Sequence, residues 1–131
     1  MTHIAALFVV LSQINGLPPG LLSAICYVES GHRPEAVHVD DGAHNSLGIC
    51  QIQLPTSRFL GFKGSEAQLR KVEPNIRFAA RYFSWELRRY HGDILKAVSA
   101  YNMGSWKLNK DGKTVNRAYV SKVLKAWQEN R

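Results

Sequence analysis

The 131-residue chain contains few cysteines and no long apolar run. Cys26 and Cys50 are too few for a disulfide scaffold and too far apart for a Cys-x-x-Cys metal or redox motif. We expect two buried free thiols, with a single bridge between them as the open alternative. The longest apolar run, residues 4–11, is well short of the roughly 20 residues that a bilayer-spanning helix needs. These absences exclude a disulfide-rich miniprotein and an integral membrane protein.

The apolar run near Met1 also lacks the marks of a secretory signal. No Lys or Arg precedes it, and residues 12–15 (Ser-Gln-Ile-Asn) contain no typical small-residue cleavage site. We therefore expect this run to form a first core helix and the chain to carry no export signal.

Acidic residues are scarce in the C-terminal half of the chain. Residues 1–57 carry a net charge of −3 and residues 58–131 one of +10, which gives +7 overall at pH 7. A basic surface attracts a polyanion, such as nucleic acid, an acidic membrane or a carboxylate-bearing cell wall. Neither a zinc-finger spacing nor an aromatic-rich binding motif favours nucleic acid. His32, His38 and His44 have no recognised ligand spacing, so we expect no metal and no cofactor.

Length and hydrophobic periodicity predict a mainly α-helical chain that forms one domain over residues 1–131. Six or seven helices and at most a very small β element are expected. The predicted helices cover residues 4–15, 19–30 and 55–60, a short segment that starts at a capping box at 65–68, a long helix from Pro74 to Gly92, one between Asp93 and Gly104, and a last one around 120–127. Residues 31–47 are predicted as a loop, and residues 48–53 as a brief strand or extended turn.

The second predicted helix carries a carboxylate on its apolar side. At about 100° per residue, Glu29 points between Leu22 and Ile25. Burial and the negative end of the helix dipole both raise the pKa of a carboxyl group there, whereas His32 and Arg33 oppose this if they fold back. A general acid at neutral pH needs a rise of roughly two units. Glu29 is therefore the candidate general acid, and the alternative is a carboxylate that reaches the surface or pairs with an arginine.

Several short segments resemble, in the right order, the motifs of soluble lytic transglycosylases and goose-type lysozymes. Glu29-Ser30, followed by Pro34, is similar to the Glu-Ser motif of that family. Residues 48–52 (Gly-Ile-Cys-Gln-Ile), 75–76 (Asn-Ile) and 100–104 (Ala-Tyr-Asn-Met-Gly) resemble its later motifs, and Tyr119 matches a late tyrosine. The ordered series covers residues 21–125, which is nearly the whole chain.

The resemblance implies a lysozyme-like fold that cleaves peptidoglycan strands between N-acetylmuramic acid and N-acetylglucosamine. Glu29 would first protonate the glycosidic oxygen. As carboxylate it would then take the proton of the muramoyl C6 hydroxyl, which closes a 1,6-anhydro ring without attack by water. A second carboxylate is unnecessary because the nucleophile is already part of the substrate. The protein would act as a monomer, with neither membrane insertion nor nucleic acid as partner.

The resemblance also implies residues that bind substrate or orient the acid. They are Ser30, Gln51, Tyr101, Asn102 and Tyr119, of which Tyr119 would hydrogen-bond Glu29. Taken without the family, Gln51 and Asn102 fit a structural amide network, and Tyr101 fits the core. Cys50 departs from the family pattern, which usually has methionine there, and a smaller side chain would widen that part of the groove.

Two other functions are consistent with the sequence. A goose-type hydrolase would use Asp40 or Asp41 to activate water, at a carboxyl separation of about 6.5 to 9.5 Å from Glu29. The other acidic position of that family aligns with Gln53, which is not acidic. A non-catalytic basic module that binds cell wall or nucleic acid is the remaining alternative. A wall-cleaving enzyme without an export signal would need another route, such as a bacteriophage virion, release at lysis or a secretion apparatus.

Overall fold

The computed structural model describes residues 1–40 and 44–129. Over these residues the chain forms seven helices and a small antiparallel sheet. The helices are α1 (His3–Ile14), α2 (Leu21–Ser30), α3 (Leu54–Phe59), α4 (Glu66–Leu69), α5 (Val72–Arg89), α6 (Ile94–Met103) and α7 (Arg117–Glu129). The strands are β1 (Val37–His38), β2 (Ser46–Leu47) and β3 (Ile52–Gln53), in the order β1-β2-β3. The predicted mainly α, lysozyme-like fold class is confirmed.

Local sequence signals define several helix ends. The Ser65 side chain accepts from the Gln68 N–H while the Gln68 side chain accepts from the Ser65 N–H, which is the predicted capping box. Asp93 caps α6 by accepting from the Lys96 N–H at 3.0 Å. Helix α5 begins at Val72, two residues before the predicted Pro74, because proline is tolerated anywhere in a first turn whose N–H groups have no helical acceptor.

The main core lies where α2, α5, α6 and α7 meet. α2 packs against α7, and α5 packs against α6 and α1. Its largest fully buried side chains include Ile25, Ile76, Phe83 and Val123. A second, smaller apolar cluster lies beneath the sheet and consists of Leu47, Ile52, Phe62, Leu69 and Phe78. The sheet therefore packs on its own apolar cluster, which is separate from the main helical core.

The predicted loop over residues 31–47 is partly wrong, because it contains β1 and the whole of β2. Val37 pairs with Leu47, and Leu47 pairs with Ile52, so the three strands form consecutive antiparallel pairs. Each strand has two residues, which is too short to show an alternating apolar pattern in sequence. The brief strand foreseen within residues 48–53 exists, but only as Ile52–Gln53.

The expected free thiols are also wrong, because Cys26 and Cys50 form a disulfide. Cys26 lies on α2 and Cys50 in the turn before β3, and both side chains are fully buried. Sequence spacing did not reveal the pairing because the two segments meet only in the folded chain. The bridge joins the helix that carries Glu29 to the turn that carries Gln51.

Among the described residues, no helix is both long enough and apolar enough to cross a membrane.

Candidate active site

Glu29 lies in the last turn of α2 and faces a cleft between the helical core and the sheet. Its Oε2 accepts a hydrogen bond of 2.7 Å from the Tyr119 hydroxyl, which α7 places there from 90 residues away in sequence. Because α2 and α7 pack closely along their length, this contact is fixed by the core and not by a flexible loop.

Burial raises the pKa of Glu29 from its ordinary 4.5 to about 7, and the hydrogen bond from Tyr119 opposes part of that rise. The hydroxyl donates to the carboxylate and so favours the charged form. A carboxyl group with a pKa near neutrality gives up a proton and takes it back with little driving force either way. The site therefore suits a group that acts first as acid and then as base.

His32 and Arg33 do not fold back over Glu29. The His32 ring packs against Phe8, with 5.2 Å between ring centroids, and its Nε2 lies 2.8 Å from the Ser23 carbonyl oxygen. Arg33 Nε donates to the Ser30 carbonyl at 2.8 Å. Both side chains instead help to close the end of α2.

The turn at residues 48–51, which follows β2, is built around a buried amide. Asn75 is fully buried; its Nδ2 donates to the Leu47 and Leu69 carbonyls, and its Oδ1 accepts from the Cys50 N–H. Gly48 adopts φ +75°, and a Cβ there would lie 2.5 Å from Asn75 Nδ2. Glycine is required on both counts, since L-residues rarely adopt this φ and the amide leaves no room for a side chain.

Two side chains of the predicted site hold the same turn from the other side. The Ser30 hydroxyl donates to the Ile49 carbonyl at 2.6 Å, and the Tyr101 hydroxyl donates to the Cys50 carbonyl at 2.7 Å. Both residues are almost fully buried. Together with Asn75 and the disulfide, they fix the turn relative to α2, α5 and α6.

Gln51 projects from this turn into the cleft with φ +55°. Its Nε2 donates to the Ala36 and Gly48 carbonyls at 3.0 and 2.9 Å, so the amide orientation is set by backbone acceptors. Across the cleft, Asn102 Oδ1 accepts from Asn116 Nδ2 at 3.0 Å. Both amides are therefore held in place beside the space where a ligand would lie.

The cleft has a volume of about 510 Å³. Its walls come from the sheet on one side and from α5 and α6 on the other. The lining residues are Glu29, His38, Asp40, Ser46, Gln51, Ile52, Gln53, Thr56, Tyr82, Tyr101, Asn102, Met103 and Gly104. The sheet register places His38 opposite Ser46 and Ser46 opposite Gln53, so these three side chains form one polar row that faces the cleft.

The structure brings most of the predicted site together. Gln51, Tyr101 and Asn102 line the cleft with Glu29, and Tyr119 contacts the carboxyl group directly. Ser30 is 4% exposed and does not line the cleft, so its position suits a residue that holds the turn at residues 48–51 and not one that binds substrate. Asp40 lines the cleft, whereas Asp41 lies outside the described residues.

Sequence reasoning missed Tyr82 and the polar row on the sheet. Tyr82 lies on α5, and nothing in its spacing distinguishes a cleft tyrosine from a core tyrosine. Asn75 was noted only as part of a motif, although an amide amid apolar helix residues is itself a signal for a buried hydrogen-bond network. No three His, Cys, Asp or Glu side chains within residues 1–40 and 44–129 come close enough together to hold a metal ion.

Comparison with known proteins connects this geometry to a family. The model of the transglycosylase SLT domain matches residues 7–123. The chain belongs to this family. Two curated relatives of this chain, both called Protein IpgF, come from Shigella flexneri and Shigella sonnei. Each is 30% identical over 122 residues, which cover 88% of this chain and 80% of the relative.

A solved structure also resembles the fold of this chain. It is the lytic transglycosylase Slt from Pseudomonas aeruginosa, solved as an inactive Glu-to-Gln mutant, with a TM-score of 0.74 and 24% identity. The match covers 93% of this chain but only 23% of the Pseudomonas protein, so this chain corresponds to a minor part of that larger enzyme. Family membership confirms the interpretation of the chain as a peptidoglycan lytic transglycosylase.

Proposed function

We propose that the protein cleaves the β-1,4 bond between N-acetylmuramic acid and N-acetylglucosamine in peptidoglycan, with Glu29 as the single catalytic acid and base. Protonated Glu29 donates its proton to the glycosidic oxygen as the bond breaks. The resulting carboxylate then accepts the proton of the muramoyl C6 hydroxyl while that oxygen bonds to C1. The products are a free N-acetylglucosamine hydroxyl and a 1,6-anhydro-muramoyl end, and Glu29 is protonated again.

One observation carries this proposal. Glu29 is a buried carboxyl group with a pKa of about 7 that faces the cleft and receives a hydrogen bond from Tyr119. The protonated form that the first step needs is therefore well populated at neutral pH. The Tyr119 hydroxyl then stabilises the carboxylate that the second step needs. Ser30 contributes by holding the turn at residues 48–51, while Gln51, Tyr101 and Asn102 present their side chains to the sugar.

The Glu29→Gln variant tests the assignment. General acid–base catalysis contributes roughly 10²- to 10⁴-fold, so we expect at least that loss in turnover of purified peptidoglycan. Mass spectrometry of the released muropeptides should show anhydro ends for the wild type and none for the variant. Glu35→Gln is the matched control, because Glu35 is an exposed carboxylate just beyond α2 that does not line the cleft. Full turnover by Glu29→Gln would rule out the catalytic role of Glu29.

Hydrolysis of the same bond is the second candidate function, because Asp40 is a carboxylate that lines the cleft with Glu29. The aligned acidic position of goose-type hydrolases is occupied by Gln53, a neutral amide that cannot take a proton from water. Product analysis of the wild type separates the two. Reducing ends that disappear in Asp40→Asn would establish hydrolysis, whereas anhydro ends that persist in Asp40→Asn support the transglycosylase.

We further propose that residues 1–131 act as one catalytic domain and as a monomer on glycan strands, without nucleic acid as a partner. The net charge of +10 over residues 58–131 suits binding to an anionic polymer such as a carboxylate-bearing glycan strand. Delivery in a bacteriophage virion, at lysis or through a secretion apparatus remains part of this proposal. Detection of the protein in purified virions would establish the first route, and a single light-scattering mass near 14.7 kDa would establish the monomer.

A further inference from the structure

Helix α5 buries a carboxylate that the proposed reaction does not use. Glu86 is fully buried, and its Oε1 accepts a 3.1 Å hydrogen bond from Arg89 Nη1. Its Oε2 makes no well-aligned hydrogen bond among residues 1–40 and 44–129, although the Tyr82 hydroxyl lies near enough to interact with the carboxyl group. A buried carboxylate is costly unless it is well paired, and an apolar side chain of the same volume is often equally stable or more so. Stability therefore does not explain why Glu86 is present.

Arg89 connects this carboxylate to the wall of the cleft. Its Nη1 also donates to the Gly104 carbonyl at 2.8 Å, and its Nη2 donates to the Ser105 hydroxyl at 2.7 Å. Gly104 ends α6 and lines the cleft together with Asn102 and Met103. The guanidinium group thus spans from inside α5 to the segment that presents Asn102 to a ligand.

Glu86 also lies one helical turn after Tyr82, a cleft residue that sequence reasoning missed. The Tyr82 ring packs against Tyr101, with 5.1 Å between centroids, and its hydroxyl donates to the Ala100 carbonyl at 3.2 Å. Burial and the nearby Glu86 carboxylate raise the pKa of Tyr82 above its ordinary value, so the hydroxyl stays a donor. Tyr82 and Arg89, two helical turns apart on α5, therefore both contact the C-terminal half of α6 or its end.

We propose that Glu86 and Arg89 are positioning residues that fix the cleft wall at residues 102–104 and thereby set the affinity for the sugar. This rests on the proposed function, since it assumes that a glycan strand lies in the cleft. Glu86 orients the Arg89 guanidinium group by accepting a hydrogen bond from it. The guanidinium group in turn fixes the end of α6 by donating to the Gly104 carbonyl and the Ser105 hydroxyl. The planar fork of arginine is required, because a lysine ammonium can pair with Glu86 but does not reproduce the two additional contacts in the same geometry.

Arg89→Lys tests this directly. Lysine keeps a cation beside Glu86, so we expect the Tm to stay within about 3 °C of the wild type. The KM for peptidoglycan should rise about tenfold, while kcat changes less than about twofold. The pH dependence of kcat/KM should not move, because burial and Tyr119 set the pKa of Glu29. A purely structural pair would instead be rescued by lysine in both stability and KM.

A second variant covers the case in which Arg89→Lys folds poorly. The double change Glu86→Leu/Arg89→Met replaces the pair with apolar side chains and should keep the Tm at or above that of Arg89→Lys. Its KM should still be raised about tenfold, so that stability and affinity separate. The matched control is Glu73→Leu/Arg77→Met, which removes a half-exposed ion pair at the start of the same helix, away from the cleft. We expect this control to keep the wild-type KM.

The outcomes distinguish this proposal from the proposed function. An unchanged KM in both Arg89→Lys and the double variant, whatever their Tm, overturns the positioning role. A wild type that releases no anhydro ends overturns the transglycosylase mechanism instead. The affinity of each variant for a chito-oligosaccharide, measured by calorimetry, then still tests whether the pair shapes the cleft.

Discussion

At the scale of single residues, the site depends on the hydrogen bond that the Tyr119 hydroxyl of α7 donates to the Glu29 carboxyl group of α2. In the proposed mechanism Glu29 can act as an acid because burial raises its pKa, and the carboxylate that then acts as a base accepts a hydrogen bond from Tyr119. These influences on the pKa of Glu29 have opposite signs, and burial is the larger. The resulting pKa of about 7 places the useful range of the enzyme around neutral pH.

The pH profile of Tyr119→Phe follows from those signs. The proposed bond cleavage requires protonated Glu29, so wild-type kcat/KM should decline as the pH rises through about 7. Removal of the hydroxyl takes away the influence that lowers the pKa, so the decline should move to higher pH. The maximal rate should also fall roughly 10- to 100-fold, since a hydrogen bond to a charged group is lost.

Tyr27→Phe is the control for this experiment. Tyr27 lies on the same helix as Glu29, is 54% exposed and packs against His32 instead of the carboxyl group. Its profile should coincide with the wild type. A Tyr119→Phe profile that shifts to lower pH would contradict our account of the Glu29 pKa.

At the scale of elements, the turn at residues 48–51 connects the sheet to the helical core. It is held by Asn75 from α5, by Tyr101 from α6, and by Ser30 and the disulfide from α2. Gln51 needs this support because it reaches the cleft from a left-handed backbone conformation. The turn therefore acts as a rigid part of the active site.

Gly48→Ala should be strongly destabilising, because it adds two costs. The added Cβ strains a residue at φ +75° and collides with the buried Asn75 amide, so we expect a loss of about 3 kcal/mol or more in the free energy of unfolding. Gly112→Ala isolates the backbone contribution, since Gly112 has φ +74° but no atom within 4 Å of an added Cβ. That control should lose about 1 kcal/mol. Equal losses in urea denaturation would show that the Asn75 contact does not matter.

The disulfide supports stability more than catalysis. It closes a loop with a sequence separation of 24. Because the bridge restricts the unfolded chain, it should raise the free energy of unfolding by about 3 to 4 kcal/mol. Cys26→Ala/Cys50→Ala should therefore lower the Tm. At 20 °C it should keep kcat/KM within about threefold, because Asn75 and Tyr101 still hold the Cys50 backbone. Wild-type protein in dithiothreitol, with iodoacetamide trapping to verify reduction, is the parallel measurement. An unchanged Tm in both samples would contradict this role.

At the scale of the whole molecule, charge acts on the encounter with substrate. Residues 58–131 carry a net charge of +10, which outweighs the −3 of residues 1–57, and they include α5 and α6, which form one wall of the cleft. Peptidoglycan carries carboxylates on its peptide stems, so long-range attraction should speed binding at low salt. The chemical step within the buried site should respond much less to screening.

A salt series tests this separation. Between about 0.05 and 0.5 M NaCl, kcat/KM for peptidoglycan should fall several-fold, while kcat stays within about twofold. Binding of a neutral chito-oligosaccharide over the same series is the control and should remain constant. A parallel fall in that affinity would indicate that salt alters the cleft itself.

Much of the fold could be predicted from the sequence because helix signals are local. The capping box at Ser65, the cap at Asp93 and the apolar side of α5 each depend on residues within a few positions of one another. Strands β1 and β2 were missed because two-residue strands have no periodicity. Glu86 was missed for a related reason, since a charged residue on a helix is expected at the surface unless its partners are known.

The sequence by itself determined the helices, the acid Glu29 on the apolar side of α2, and the ordered motifs that resemble the transglycosylase family. The resemblance also implied the contact between Tyr119 and Glu29, which the structure shows. Only the tertiary structure decided the Cys26–Cys50 bridge and the link from Glu86 through Arg89 to the cleft wall. The physical reason is distance along the chain. Helix formation depends on neighbouring residues, whereas pKa values, disulfides and cleft walls depend on groups that meet only when the core forms.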